Sequence, residues 1–486
     1  MFLVIIFLSA VFSQVLNLSG GVQRRGVVDW NARKQRNFEP MTVQPSVSSL
    51  RGLGFLRLSQ FLSSLCATLF SGTLLHGQIE FESKPISYQS TVASDPISKL
   101  KMKITSGVSK LEYDTEHGYL RSLLEDLDIP ISSQMLVFSK TSFQLRQISS
   151  RRPRAIYFND DVYVGWVQGG DVLEISAADP QLGGVFYTLR QKQMERPDLV
   201  RDRGQCIVCH ASSRTSGVPG HLVRSVYADQ SGQPFYGSGT FTTDQRSPFK
   251  ERWGGWYVSG THGAMQHMGN VTVTDRDHPE VLDLEEGANV TNLQPWLNTK
   301  PYLSSHSDIV ALMVLVHQTR MHNLITRANY ETRSAFHYDQ VMNKAMNRPT
   351  DFQSESAKRR IRLAAERLVE YMLFADEFQL TAPIRGSSSF TTEFASRGPR
   401  DRHGRSLREF DLTTRMMKYP CSFLIYSKSF EGLPTVVKSH VYQRLYAILT
   451  GEDERDRFHH LSGPDRQAIL AILCDTQDDL PAYWTR

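Results

Sequence analysis

Cysteine is scarce in this chain, with five in 486 residues: Cys66, Cys206, Cys209, Cys421 and Cys474. That excludes a fold held by a dense disulfide framework, although Cys421 and Cys474 remain able to pair in an oxidising compartment. No repeat of about 20–50 residues is visible, which excludes a solenoid or propeller. An excess of charge is lacking as well. Of 55 basic and 50 acidic residues, seven and two fall in residues 1–78, leaving 48 of each in the remaining body. A neutral body gives no general electrostatic case for nucleic acid or anionic lipid as the partner. The cluster Arg151-Arg152-Pro153-Arg154 reads as a solvated turn. A P-loop, a Rossmann glycine pattern, an H-E-x-x-H site and a Ser-His-Asp order are all missing. Gly237-Ser238-Gly239 lacks the strand-to-helix flanks of a nucleophile elbow.

What remains is an ordinary globular composition, 40% hydrophobic and 22% charged. The length predicts two or three domains. Residues 1–40 read as an over-extended N-terminus. Residues 41–78 read as a signal peptide: Met41, then Arg51 and Arg57, then an apolar run from Phe61 to Leu75 ending at His76-Gly77-Gln78. Membrane contact is expected only through that signal, or through the same run kept as an anchor, for which it is short. Cys66 follows Leu65 rather than a small residue, against a lipoprotein. The expected location is periplasmic or exported.

Residues 79–100, punctuated by Ser and Pro, read as a linker. Residues 101–200 read as a small α+β domain, with a helix over Tyr119–Leu127. Short strands follow over Met135–Phe138, Ala155–Phe158, Val162–Val167, Val172–Ile175 and Val185–Leu189. Residues 201–486, which contain the haem-attachment pattern C-x-x-C-H at Cys206–His210, read as the haem-binding and helical domain. Its first hundred residues are Gly-, Ser-, Trp- and His-rich and irregular, as a cofactor-organised stretch would be. Helical periodicity then appears over Ser307–Tyr330, Glu355–Phe378, Ser439–Leu449 and Asp465–Leu473. The expected fold is an α+β N-terminal region followed by a mainly α, loop-rich, cytochrome-c-like region.

The chemistry sits in Cys206-Ile207-Val208-Cys209-His210. C-x-x-C-H is the attachment motif of a c-type haem, with two thiols for two vinyl groups and the adjacent His for the iron. An export signal upstream supplies the compartment such attachment needs. Two rival readings stay open. Structural zinc wants four ligands, and Cys421 and Cys474 are isolated. A redox dithiol belongs at a helix start after a strand, and Glu195-Arg196-Pro197-Asp198-Leu199 looks like loop.

The other face of the iron decides between a carrier and an open, reactive site. The stretch Gly260–Asn270 offers His262, Met265, His267 and Met268. Met268 is the first candidate for axial ligand, with His262 and His267 behind it. A second candidate is the helix near Ser307. There His306, Met313 and His317 share a stripe, and His322 is turned well away from His317. His317 and His267 are the candidates for a catalytic acid/base role.

At Cys206–His210, Arg252–Tyr257, Gly260–Asn270 and Asp308–Tyr330 the chain resembles exported monohaem cytochrome-c-domain proteins of planctomycete-type bacteria, over about residues 100–480. The resemblance implies a periplasmic protein with one covalent haem and supplies no substrate. A second C-x-x-C-H is lacking, which departs from the di-haem peroxidases. The expectation is electron transfer to a redox protein partner, or an oxidoreductase subunit. The alternatives are a peroxidase-like haem enzyme with an open distal site and a haem-based sensor.

Overall fold

Alternation of apolar and polar residues builds the first half of the molecule. In strand β4, Val172–Asp179, the side chains of Leu173, Ile175 and Ala177 are buried while Val172, Glu174 and Ser176 are half-exposed. A period of two puts each set on one face of a sheet. The computed structural model describes residues 80–453 and 455–484. The readings of residues 1–40 and 41–78, with Cys66, lie outside the described residues, which belong to one compact unit spanning 75–486.

The sheet is a six-stranded antiparallel meander in chain order. Its strands are β1 Met135–Val137, β2 Arg154–Phe158, β3 Val162–Trp166, β4, β5 Gly183–Arg190 and β6 Leu199–Arg201. One face carries Tyr157, Val164, Leu173, Val185 and Leu189. It packs on helices α1, Pro96–Thr105, and α2, Leu120–Asp126. The segment expected to be a linker is therefore part of the body. Asp95 caps α1 by accepting from the Ile97 and Ser98 amides and takes a hydrogen bond from Tyr187 Oη. Phe81, Ile86 and Tyr88 are buried, and Tyr88 Oη donates to the Gly184 carbonyl at 2.7 Å. Apolar side chains among the serines and prolines account for the difference.

The opposite sheet face carries Phe158, Tyr163 and Phe186. Between sheet and helices lie the single-turn helix α3, Ile207–His210, and a hairpin of β7 Val223–Val226 with β8 Thr240–Thr243. Strand β9, Gly260–Thr261, pairs with β10, Arg385–Gly386. The stretch 201–300 is short on regular structure, as its composition implies. The helical part follows: α4 Ile309–Ala345, α5 Glu355–Met372, α6 Phe390–Ser396, α7 Lys428–Glu431, α8 Thr435–Leu449 and α9 Gly463–Thr476. A sheet-rich region followed by helices is thus the observed order. Among the described residues no helix is long and apolar enough to cross a membrane. Cys421 is fully buried, the Cys474 thiol donates to the Trp484 carbonyl at 3.3 Å, and the two are not bridged.

Helix α4 is the axis of the helical part, buried on nearly all sides. Its N-cap, Asp308, is a fully buried carboxylate. It accepts from the Val310 and Ala311 amides of its own helix, from the Ser387 and Ser388 amides, and from Ser388 Oγ. A buried charge survives only with such a set of donors. Asp308→Ala removes the cap and strands these donors. The expected loss is about 3 kcal/mol or more of unfolding free energy, read from urea denaturation. A loss below about 1 kcal/mol would contradict the role.

Candidate functional site

Cys206 caps the turn α3, with the His210 amide donating to its carbonyl at 3.0 Å. A separation of three residues on one helical turn puts Cys206 and Cys209 on the same side. Cys206 is half-buried and Cys209 exposed, and Val208 between them is 78% exposed. The Asp202 carboxylate accepts from the Cys206 and Gly204 amides and fixes the entry to the turn. Burial, helped by the negative charge of Asp202, pushes the Cys206 thiol up to about 12.

The His210 ring lies 4.7 Å from Phe186 of β5. Its Nδ1 is 2.9 Å from the Gly220 carbonyl. A carbonyl only accepts, so Nδ1 carries the hydrogen and Nε2 the lone pair. Burial lowers the histidine's pKa and keeps it neutral. Nε2 meets no protein group among the described residues. A backbone carbonyl fixing the far nitrogen is the way a metal-ligating histidine is held in one tautomer and orientation.

Gly220 is itself held tightly. Its amide donates back to the His210 carbonyl at 2.8 Å, and the Gly184 amide donates to Pro219. A Cβ on Gly220 would lie 2.1 Å from Asn323 Oδ1, and one on Gly183 would lie 2.4 Å from Thr326. Glycine is required at both because strand, loop and helix meet there. On α4, Asn323 Oδ1 accepts from the His221 amide at 2.9 Å and Nδ2 donates to the His221 carbonyl at 2.6 Å. Arg320 donates to Ser216 Oγ and Arg327 to the Ser216 carbonyl. Residues 320, 323 and 327 share one helix face. That face grips the loop that orients His210.

His221 is the residue that sequence reasoning missed. It is buried, and neither ring nitrogen meets a protein group among the described residues. Its ring lies 4.5 Å from Tyr163, 6.0 Å from Phe186 and 6.1 Å from His322. The only sequence signal was a histidine after Pro219-Gly220, eleven residues beyond the motif. A cavity of about 260 Å³ opens beside it, lined among others by Arg214, Asp244, Thr319 and Arg320.

The sequence candidates fall elsewhere. His317 is a core histidine: Nδ1 is 2.5 Å from Gln245 Oε1, Nε2 is 2.8 Å from Ser422 Oγ, and the ring stacks on Phe374. Both nitrogens are taken by the fold. His306 precedes α4 and is not on the helix, because the chain turns at Asp308. His322, turned from His317 as expected, faces the sheet and donates from Nε2 to the Asp160 carbonyl. Met268 is buried, with its sulfur 3.6 Å from Ser225 Oγ and its methyl group against Gly254. His267 packs 4.7 Å from His262 and 5.4 Å from Trp253, and its Nδ1 accepts from Gly269. His262 Nε2 accepts from the Asn289 amide. No described contact joins Met268, His262 or His267 to His210.

The strings around them have structural work. Trp253 is fully buried at φ +65°, and Gly255 at φ +82° brings its Cα against Ser139. Asn270 spans the Val258 amide and the Val258 and Gly287 carbonyls. Among the described residues no group of three or more Cys, His, Asp or Glu side chains converges as a metal site. Cys206 and Cys209 therefore lack the further ligands of structural zinc. They fit a c-type haem: two thiols on one side of a turn, and a histidine whose Nε2 is unengaged and oriented.

Two outcomes follow from these contacts. Asn323→Ala leaves the buried His221 amide and carbonyl without partners and is expected to cost about 2–4 kcal/mol. Gly220→Ala is destabilising alone, and less so in the Asn323→Ala background, where its Cβ finds room. Additive losses in a double-mutant cycle would contradict the close packing.

Acid is expected to destabilise the fold. Burial lowers the pKa of His267 and His317 to about 3 and of His322 to about 4. The unfolded chain takes up those protons near 6.5 and the folded chain does not, so stability is full above 6.5 and falls from there down to about 3–4. Burial also raises Glu377 to about 7 and Asp161 to about 6, and these oppose the trend. The histidines prevail in number, since His210, His221 and His262 are lowered too. Urea midpoints should drop between pH 6 and 4, by about 1.4 kcal/mol per pH unit for each net proton. A midpoint that rose on acidification would refute this balance.

No family profile, curated protein or solved structure matches the chain, so the site is read from its own residues.

Proposed function

We propose that this chain is an exported c-type haem protein whose task is redox chemistry with a protein partner. Cys206 and Cys209 would hold the haem through thioethers, and His210 Nε2 would ligate its iron. The observation that carries the reading is the His210 Nδ1 to Gly220 carbonyl bond, which leaves the Nε2 lone pair unengaged on the residue next to Cys209. When bound, the haem supplies a one-electron couple tuned by its axial ligands and surroundings. The protein's own contribution is to keep His210 neutral, oriented and unable to swing. Exposed Cys209 and Val208 leave the attachment turn open to a partner.

A second reading, a haem enzyme with an open distal site, is favoured by one observation. A polar cavity and the unpartnered His221 lie next to the attachment loop. A simple carrier needs on the order of 100 residues, and this body is several times larger. Met268 remains the candidate sixth ligand for the carrier, though it would have to leave Ser225 and its buried seat.

The test is to export the full chain in a host equipped for c-type haem attachment. A haem stain should survive denaturing electrophoresis, and Cys206→Ala with Cys209→Ala should abolish it. Absence of covalent haem in the unmodified protein, or stoichiometric zinc in its place, would sink the proposal. The optical spectrum then separates the two readings. A change on Met268→Ala marks a Met-ligated carrier, whereas rapid CO binding by the unmodified protein marks an open site.

A further inference from the structure

We infer that the cavity beside His221 is a binding site for a small oxyanion; the inference rests on the haem reading only for what the anion does there. The cavity lies between the loop that follows the attachment turn, the β7–β8 hairpin and α4. Its walls include Arg214, His221, Thr242, Asp244, Arg320 and Asn323. Its volume of about 260 Å³ is below the roughly 300–1,000 Å³ typical of drug-sized ligands. A phosphate-sized ion fits that space.

The charge balance favours an anion. Two guanidinium groups, Arg214 and Arg320, face one carboxylate, Asp244. That carboxylate is already engaged: Arg246 Nη2 lies 2.7 Å away, and the Arg246 amide also donates to it. Arg320 Nε is only at 3.9 Å from Asp244, so Arg320 keeps most of its charge for another partner. Arg320 Nη1 is tied to Ser216 Oγ at 2.8 Å, which aims the group without neutralising it.

His221 forms the buried side of the wall: the residue is 5% exposed, and neither ring nitrogen has a hydrogen-bond partner among the described residues. A buried polar side chain left so costs about 1–3 kcal/mol unless something hydrogen-bonds to it. The ring packs on Tyr163, Phe186 and His322, so the charges that draw an anion into the cavity are those of Arg214 and Arg320. Asn323 fixes the His221 backbone from both sides.

Two sources share this chemistry: a free small oxyanion, and the propionate of a haem held at Cys206 and Cys209. Calorimetric titration with inorganic phosphate separates them, using the haem-loaded chain and the Cys206→Ala/Cys209→Ala chain. Binding to the loaded chain assigns the site to a free oxyanion. Binding only to the haem-less chain assigns it to the propionate. In either case Arg320→Gln and Arg214→Gln should each weaken phosphate by about tenfold, the worth of one charge-assisted hydrogen bond. Arg214 is exposed and its variant tests the site even where Arg320→Gln fails to fold. No binding to either chain at millimolar phosphate, or binding that both variants leave unchanged, overturns the inference. Phosphate binding by a chain that never acquires haem would keep the site while removing the haem reading.

Discussion

The polar face of α4 formed by Arg320, Asn323 and Arg327 is the constraint on which the Cys206–His210 turn depends. Through Ser216 and the His221 backbone it fixes the loop, and through Gly220 the loop fixes the His210 ring. Asn323 and His221 are buried and the arginines and Ser216 half-buried, so an alternative register of α4 would leave several of them unpaired at once. Partners that are expensive to lose specify one arrangement more sharply than apolar packing does. The helix is thereby both the core of the fold and the frame of the site.

Its other faces serve other layers. At about 100° per residue, His317 points away from the loop-gripping face, toward Tyr371 and Phe374 of the α5 end. Gln318 and His322 take the remaining direction, toward Asn159, Asp160 and Tyr163 at the β2–β3 turn. A helix with polar groups on three sides yet buried along most of its length is possible only because each meets a partner from a different element.

These arrangements also explain what was legible. Strands β1 to β5 and helices α2, α4, α5, α8 and α9 follow from residue alternation or helical period, which depend on neighbours a few residues away. Strand β6 is three residues long and carries no pattern of its own. Helix α1 hid in a Ser- and Pro-rich stretch, although Asp95-Pro96 is a capping pair in its own right. The C-x-x-C-H turn was legible because its chemistry is local. His221 was not, because its meaning comes from Tyr163, Phe186 and Asn323, which lie 35 to 102 residues away in the chain. For the same reason His317 looked promising on its stripe, while the groups that occupy its nitrogens come from Gln245 and Ser422.

For a haem held as proposed, the candidates for a sixth ligand re-rank in physical terms. A ligand must offer an unengaged lone pair and be able to reach the metal. His317 offers none without losing Gln245 or Ser422, and His262 Nε2 and His267 Nδ1 already accept backbone amides. Met268 has only the weak contact with Ser225 to lose, but its seat between Gly254 and β7 is close-packed, and leaving it opens a cavity. His221 has nothing to lose at either nitrogen. Its backbone is clamped by Asn323, and its ring is packed against Tyr163, Phe186 and His322. The same clamp that steadies the His210 ring thus holds the next histidine in the core.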